Sequence, residues 1–78
     1  MTDRLLRTFA AGLGVSEDRL SDQTSPDNTP EWDSMAAITL VTELEETFGV
    51  ELTTSEIMRM RSIGVAREVL RAKGVPDV

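Results

Sequence analysis

The sequence predicts a small all-α protein, a four-helix bundle with three longer helices, a short third helix and a long first loop. Apolar residues recur at three- and four-residue spacings, which is typical of helices that bury one face. Capping residues and glycines bracket these segments, and no segment alternates as a half-buried strand would. With 78 residues, we expect one domain over residues 1–78, with a small core.

The first helix is predicted to run from about Asp3 to Leu13, because its apolar residues share one face. From Val15 to Asp33 the chain is polar, with a short turn expected around Glu17 to Leu20. A connector of this length is unusual in a compact domain, so it should either have a function or be held in place. We expect Leu20 and Trp32 to anchor it.

The second helix is predicted to begin after Asp33, whose carboxylate can cap it, and to end at Gly49. Leu40, Leu44 and Phe48 follow the i, i+4, i+8 spacing of a buried row. Ile38 and Val41 are assigned to the same apolar face. The residues predicted to point outward are Ser34, Met35, Thr39, Thr42 and Glu46.

Two further helices complete the prediction. Thr53 and Glu56 have the spacing of a capping box, which opens a short third helix through Ile57 and Met60. Ser62 can cap a fourth helix, and its apolar residues are Ile63, Ala66, Val69 and Leu70. Gly74 and Pro76 then close it.

Composition excludes most catalytic sites. The chain has no His, Cys or Tyr, which removes the usual general base, a thiol nucleophile, cysteine-based zinc sites and disulfides. The loop carboxylates lack the spacing of an EF-hand, so no metal site is predicted. Glu45 and Glu46 are adjacent on a helix and diverge too far to act as an acid and base pair. No apolar run is long enough to span a membrane, and we expect an unprocessed cytoplasmic protein.

Charge is unevenly distributed around the net value of −6. No Lys or Arg lies between Arg19 and Arg59, whereas carboxylates are frequent there. Such a surface repels nucleic acid and anionic lipid and attracts basic protein patches, an effect that salt screens. We therefore expect protein partners, and neither nucleic acid nor membrane.

Ser34 is the most informative residue. At the first position of a helix it lies beside unpaired backbone N–H groups and the positive end of the helix dipole, where a phosphate ester is tolerated. No His or Lys is nearby in the sequence to activate its hydroxyl as a catalytic nucleophile. The position suits an attached phosphate group better than it suits catalysis, although Asp-Ser at a helix start is also ordinary capping.

The run from Glu31 to Met35, the apolar helix that follows and the Leu-Glu-Glu-x-Phe-Gly block ending at Gly49 resemble acyl carrier proteins. The resemblance extends along essentially the whole chain. Asp33-Ser34-Met35 corresponds to the Asp-Ser-Leu signature of that family, with Met in place of Leu.

The resemblance implies a non-catalytic, monomeric carrier. A phosphopantetheinyl transferase would move 4'-phosphopantetheine from coenzyme A onto Ser34, with Asp33 and Met35 beside it. The thiol of this arm would hold an acyl group as a thioester and present it to acyl-loading and acyl-processing enzymes, such as an acyltransferase or ligase and a ketosynthase-like enzyme. The candidate docking residues are Met35, Thr39, Thr42, Glu43 and Glu46. The candidate walls of an acyl-chain cavity are Leu40, Leu44, Met60, Ile63 and Val65.

Several features differ from the fatty-acid carriers. Ala36, Ala37 and Thr39 lie where those carriers are commonly acidic, and Arg59 and Arg61 lie near the third helix. In having Trp32 just before Asp33-Ser34, the sequence resembles carriers of polyketide and other specialised pathways. A discrete carrier of such a pathway is therefore favoured. The alternatives are a peptidyl or aminoacyl carrier, and an unmodified interaction domain of the same fold.

Overall fold

The computed structural model describes residues 3–76 and 78, and the regular secondary structure in this part of the chain is helical. Helix α1 spans Arg4–Leu13, α2 spans Ser34–Phe48, α3 spans Thr54–Arg59 and α4 spans Ile63–Ala72. A short 3-10 turn at Glu17–Arg19 interrupts the first loop. The predicted all-α bundle with a short third helix is confirmed. No helix of the described residues has the length and apolar character needed to cross a bilayer.

The helices begin where local side chains satisfy their first backbone N–H groups. Asp3 caps α1 by accepting hydrogen bonds from the N–H groups of Leu5 and Leu6. Thr53 and Glu56 form the predicted capping box at α3, and the Ser62 hydroxyl accepts from a backbone N–H in the first turn of α4. Each predicted start therefore agrees with the structure to within about a residue.

The core lies between α1, α2 and α4. Its largest fully buried side chains are Leu5, Phe9, Leu44, Ile63 and Leu70. The two predicted loop anchors, Leu20 and Trp32, are also buried. The Trp32 ring packs against Phe9 with ring centroids 5.2 Å apart, a separation at which aromatic pairs attract each other.

One assignment on α2 was wrong. Ile38 was expected on the buried face, but its side chain is 68% exposed, whereas Leu40 and Leu44 are buried as predicted. Ile38 and Leu40 are two residues apart, which places them about 200° apart around a helix. Burial of the row through Leu40 therefore turns Ile38 toward solvent.

Hydrogen bonds fix the first loop against α4. The carbonyl oxygens of Asp22 and Thr24 accept from the N–H groups of Gly64 and Ile63, each at 3.0 Å. These bonds satisfy donors at the start of α4 that have no partner within the helix. The loop is therefore held in place, and the segment that leads into α2 begins from a fixed position.

Arg67 of α4 joins this loop to α1. Its guanidinium donates to Asp3 at 2.8 Å and to Asp22 at 3.0 Å, and its side chain is only 14% exposed. Partial burial by itself raises the pKa of Asp3, but the hydrogen bonds from Arg67 and the helix N–H groups outweigh burial and hold that pKa below its usual value. In the same way, burial acts to lower the pKa of Arg67, and its two carboxylate partners raise it. The charged forms of Asp3 and Arg67 are thus part of the fold.

Candidate functional site

Ser34 is the first residue of α2 and is exposed. The Asp33 side chain caps the helix by accepting from the N–H of Ala36 at 2.9 Å. The Asp33 carbonyl accepts from the N–H of Ala37, also at 2.9 Å. Asp33 thus orients the first turn that carries Ser34, whose hydroxyl lies at the positive end of the helix dipole.

An ion pair holds the segment that precedes Ser34. The Arg19 guanidinium donates to both carboxylate oxygens of Glu31, at 3.0 and 3.3 Å. These bonds from Arg19 hold the pKa of the Glu31 carboxyl below its usual value. Together with buried Trp32, the pair fixes the chain immediately before the helix.

A cleft of about 350 Å³ opens beside Ser34. It lies where the start of α2 meets α3, the α3–α4 connection and the first loop. The residues that line it are Pro26, Trp32, Asp33, Ser34, Ala37, Ile57, Met60 and Arg61. In the part of the chain that the structure describes, the cleft therefore has an apolar wall and one cationic side chain, Arg61.

A much smaller cavity of about 30 Å³ lies between α1, α2 and α3. It is lined by Phe9, Trp32, Ala37, Leu40, Val41, Leu44, Ile57 and Met60. This volume is about what one or two water molecules require, so it holds no extended acyl chain as it stands. Trp32, Ala37, Ile57 and Met60 line both the cleft and the cavity.

The five predicted acyl-chain contacts are not all brought together. Leu40, Leu44 and Met60 line the small cavity. Ile63 is fully buried and Val65 is half-buried, but neither lines the cavity or the cleft. Both belong to α4, whereas these two spaces are bounded by α1, α2, α3 and the loops.

Five exposed residues of α2 form one continuous stripe, which we call the α2 stripe: Met35, Ile38, Thr39, Thr42 and Glu46. Their i, i+3, i+4, i+7, i+11 spacing keeps them on one side of the helix. Met35 is 75% exposed. Glu43, another predicted docking residue, is half-buried at the edge of the stripe.

Hydrogen bonds limit what the polar residues of α2 can offer a partner. The hydroxyls of Thr39 and Thr42 donate to the carbonyls of Met35 and Ile38 in the preceding turn, each at 3.3 Å. The Glu45 carboxylate accepts from the N–H of Leu52 at 2.9 Å and so holds the α2–α3 connection. The stripe is therefore apolar near Ser34 and acidic near its end, at Glu46.

Sequence reasoning missed several residues around Ser34. Pro26, Ile57 and Arg61 line the cleft but were not predicted as site residues. For Ile57 a signal existed, since it lies three residues before Met60 on a helix face. Pro26 and Arg61 lie in connections, where no local periodicity indicates which element they contact.

Among the described residues that line the cleft, none is a base free to activate the Ser34 hydroxyl. The chain contains no His, and the charged residues that line the cleft are Asp33 and Arg61. Asp33 is engaged as the helix cap, and a guanidinium cannot serve as a general base. Among the described residues, no group of His, Cys, Asp and Glu is arranged to hold a metal ion. The geometry offers an accessible hydroxyl as an attachment point.

Comparison with known proteins gives one informative match. A family model described as the phosphopantetheine attachment site matches residues 3–66 of the chain. This segment runs from the cap of α1 into the first turn of α4 and includes Ser34 and its cleft. A search of the curated proteins gave no match.

Proposed function

Because this chain belongs to the acyl carrier protein family, whose domain is the site of covalently attached 4'-phosphopantetheine, we propose that Ser34 is the residue that carries this group. The observation that carries the proposal is the position of Ser34, exposed at the first residue of a long helix and at the mouth of a cleft. Such carriers interact with phosphopantetheinyl transferases and with biosynthetic enzymes.

The residues around Ser34 fit a phosphate ester. The dipole of α2 favours a negative charge at its N-terminal end, and the first backbone N–H groups of a helix have no partners within the helix. Arg61 adds a cation to the same cleft. Among the described residues, Asp33 is the one carboxylate that lines the cleft, and it is engaged with the N–H of Ala36.

The chemistry at Ser34 is a phosphoryl transfer. The hydroxyl oxygen attacks the coenzyme A phosphorus that bears pantetheine, a new P–O bond forms, and the pyrophosphate bond breaks to release adenosine 3',5'-bisphosphate. The transferase must supply the base that takes the hydroxyl proton, since the chain has no His and no base free at the site. Once bound, the group supplies a terminal thiol on which acyl intermediates are held as thioesters.

The α2 stripe is the proposed docking face. Met35 and Ile38 form its apolar part beside Ser34, Thr39 and Thr42 continue it, and Glu46 forms its acidic end. Glu43 lies at its edge. Apolar contact near the attachment point and charge attraction further away suit a shuttle that must release each partner quickly. The carrier domains of this family are in general non-catalytic, and we assign this chain the same role.

We further propose that the carrier serves a polyketide-like or other specialised pathway. No acidic residue occurs from Ser34 to Thr42, and the stripe residues exposed there include Met35 and Ile38. Partners must therefore present an apolar patch rather than a cluster of cations next to their active-site entrance. An acyltransferase or ligase and a ketosynthase-like enzyme are the expected classes.

Intact-mass measurement tests the attachment directly. The protein is incubated with coenzyme A, Mg²⁺ and a broad-specificity phosphopantetheinyl transferase, beside the Ser34→Ala and Ser55→Ala variants. Ser55 is the matched control, because it is an exposed serine in the first turn of the short helix α3. We expect a single phosphopantetheine adduct on the wild type and on Ser55→Ala, and none on Ser34→Ala.

Other outcomes select the alternatives. An adduct on Ser34→Ala would show that the arm is attached to another residue. A folded wild type that takes no adduct would favour an unmodified interaction domain, whose partner binding should survive Ser34→Ala. If the holo-protein is loaded by amino-acid adenylating enzymes and not by acyl-transferring ones, the chain is instead a peptidyl or aminoacyl carrier.

A further inference from the structure

We propose that the cleft beside Ser34 is a binding site, here called the seat, for the phosphate end of the prosthetic arm. In this site Arg61 pairs with the phosphodiester anion, and the apolar wall contacts the adjoining pantetheine chain. This inference rests on the proposed attachment at Ser34. It assigns Arg61 a binding role toward the attached group.

The first observation is the shared location of Ser34 and Arg61. Both line the same cleft, although they are distant in the sequence. A phosphate on the Ser34 oxygen is therefore formed at a cleft whose wall carries a guanidinium. Arginine suits this role because its planar fork of donors matches the oxygens of a phosphate.

A tight turn at Met60 directs the two arginines beside it, Arg59 and Arg61, to different places. Met60 has φ −77° and ψ 73°, and the N–H of Arg61 donates to the carbonyl of Arg59 at 2.8 Å. These values describe an inverse γ-turn. The turn brings Met60 into the core and Arg61 to the cleft, whereas Arg59 is exposed and does not line it.

The present partner of Arg61 holds it weakly. Its guanidinium lies 3.8 Å from the Asp27 carboxylate, and the two side chains are 67% and 85% exposed. Exposed ion pairs of this kind contribute little to stability. Arg61 can therefore exchange Asp27 for a phosphodiester at little cost, which Arg19 and Arg67, in shorter ion pairs, cannot do as readily.

The remaining wall suits an uncharged chain. Trp32, Ala37, Ile57 and Met60 supply its apolar surface, and the volume of about 350 Å³ is within the range of small-molecule sites. Buried Trp32 is the only tryptophan, so its emission reports on this wall without interference. The attached group contains a single phosphorus atom, and its ³¹P resonance reports on the end of the seat that holds Arg61.

The test compares wild type, Arg61→Gln, Arg61→Lys and the matched control Arg59→Gln, each converted to the holo form until intact mass shows complete modification. We expect the ³¹P resonance of Arg61→Gln to be displaced from that of wild type, Arg59→Gln to match wild type, and Arg61→Lys to lie between. The change in Trp32 emission between apo and holo forms should be smaller in Arg61→Gln, because loss of an exposed ion pair lowers the equilibrium constant for seating the arm by about 1.4- to fivefold. High salt should move the wild-type ³¹P resonance toward that of Arg61→Gln.

Two results would contradict the proposed seat without contradicting the attachment at Ser34. One is a ³¹P resonance of Arg61→Gln identical to that of wild type. The other is Trp32 emission that does not change when the arm is attached. Failure to form the adduct at all is a different result, because it removes the attachment at Ser34 and the seat with it.

Discussion

The orientation of α2 predicts a sharp contrast between Leu44→Ala and Ile38→Ala. Leu44 is 0% exposed, whereas Ile38, on the same helix, is mostly exposed. Truncating a fully buried leucine to alanine costs about 3–5 kcal/mol, because it loses apolar burial and leaves a cavity. A substitution at an exposed site is usually within about 0.5 kcal/mol of neutral, and alanine has the higher helix propensity.

These magnitudes are large against the stability of so small a protein. A chain of 78 residues should have a free energy of unfolding of about 4–12 kcal/mol. At about 4–8 °C per kcal/mol, Leu44→Ala should lower the melting temperature by about 12 °C or more. Ile38→Ala should change it by less than about 4 °C.

Urea unfolding measures both variants, with far-UV circular dichroism and Trp32 emission as two probes whose transitions should coincide. Leu44→Met conserves the side-chain volume and should cost less than about 1.5 kcal/mol, which provides a folded reference if Leu44→Ala does not fold. A loss of stability in Ile38→Ala as large as that in Leu44→Ala would show that α2 buries a different face. That result would refute the assignment of the α2 stripe.

Three further predictions follow from the described contacts. Ile38→Ala should lower the kcat/KM for arm attachment by a broad-specificity transferase about tenfold, because an apolar side chain buried at an interface contributes about 1.5 kcal/mol. Stability should be nearly constant above about pH 5 and fall below about pH 4, since the pKa of Asp3 is lowered in the folded state and its contribution is lost on protonation. Arg67→Gln should destabilise the protein near pH 7, and by less as the pH falls. Gly49→Ala should destabilise it by about 1–2 kcal/mol, because Gly49 has φ +65°, a conformation that is unfavourable for residues with a Cβ. A Cβ at this position would meet no neighbouring atom, so no steric clash adds to that cost.

Each of these has a control. Ile38→Leu should retain most of the transferase activity, and an Ile38→Ala variant with unchanged kcat/KM would argue against the docking face. For the pH dependence, urea unfolding is repeated over the acid range. A constant difference between wild type and Arg67→Gln at every pH would contradict the role of ionised Asp3. Gly49→Asn should be milder than Gly49→Ala, because asparagine tolerates the left-handed conformation better.

Local chemistry in the sequence was enough to predict the helices and the exposed position of Ser34. Asp33, Thr53 and Ser62 cap helices in the structure as expected, because a capping side chain bonds to N–H groups only two or three residues away. Asp3, which was placed inside the first helix, is its cap. The same local reasoning placed Ser34 at an exposed helix start. The resemblance to carriers then identified the family, which the family model confirmed.

Only the tertiary structure decided which face of α2 is buried and which residues surround Ser34. Ile38 and Leu40 are both apolar, so hydrophobicity alone does not say which one packs against α1. Pro26 and Arg61 reach the cleft because hydrogen bonds between the first loop and the start of α4 hold their segments in place. Helix caps and periodicity are set by neighbours within a turn or two, whereas the cleft is set by contacts between distant segments, which no local pattern encodes.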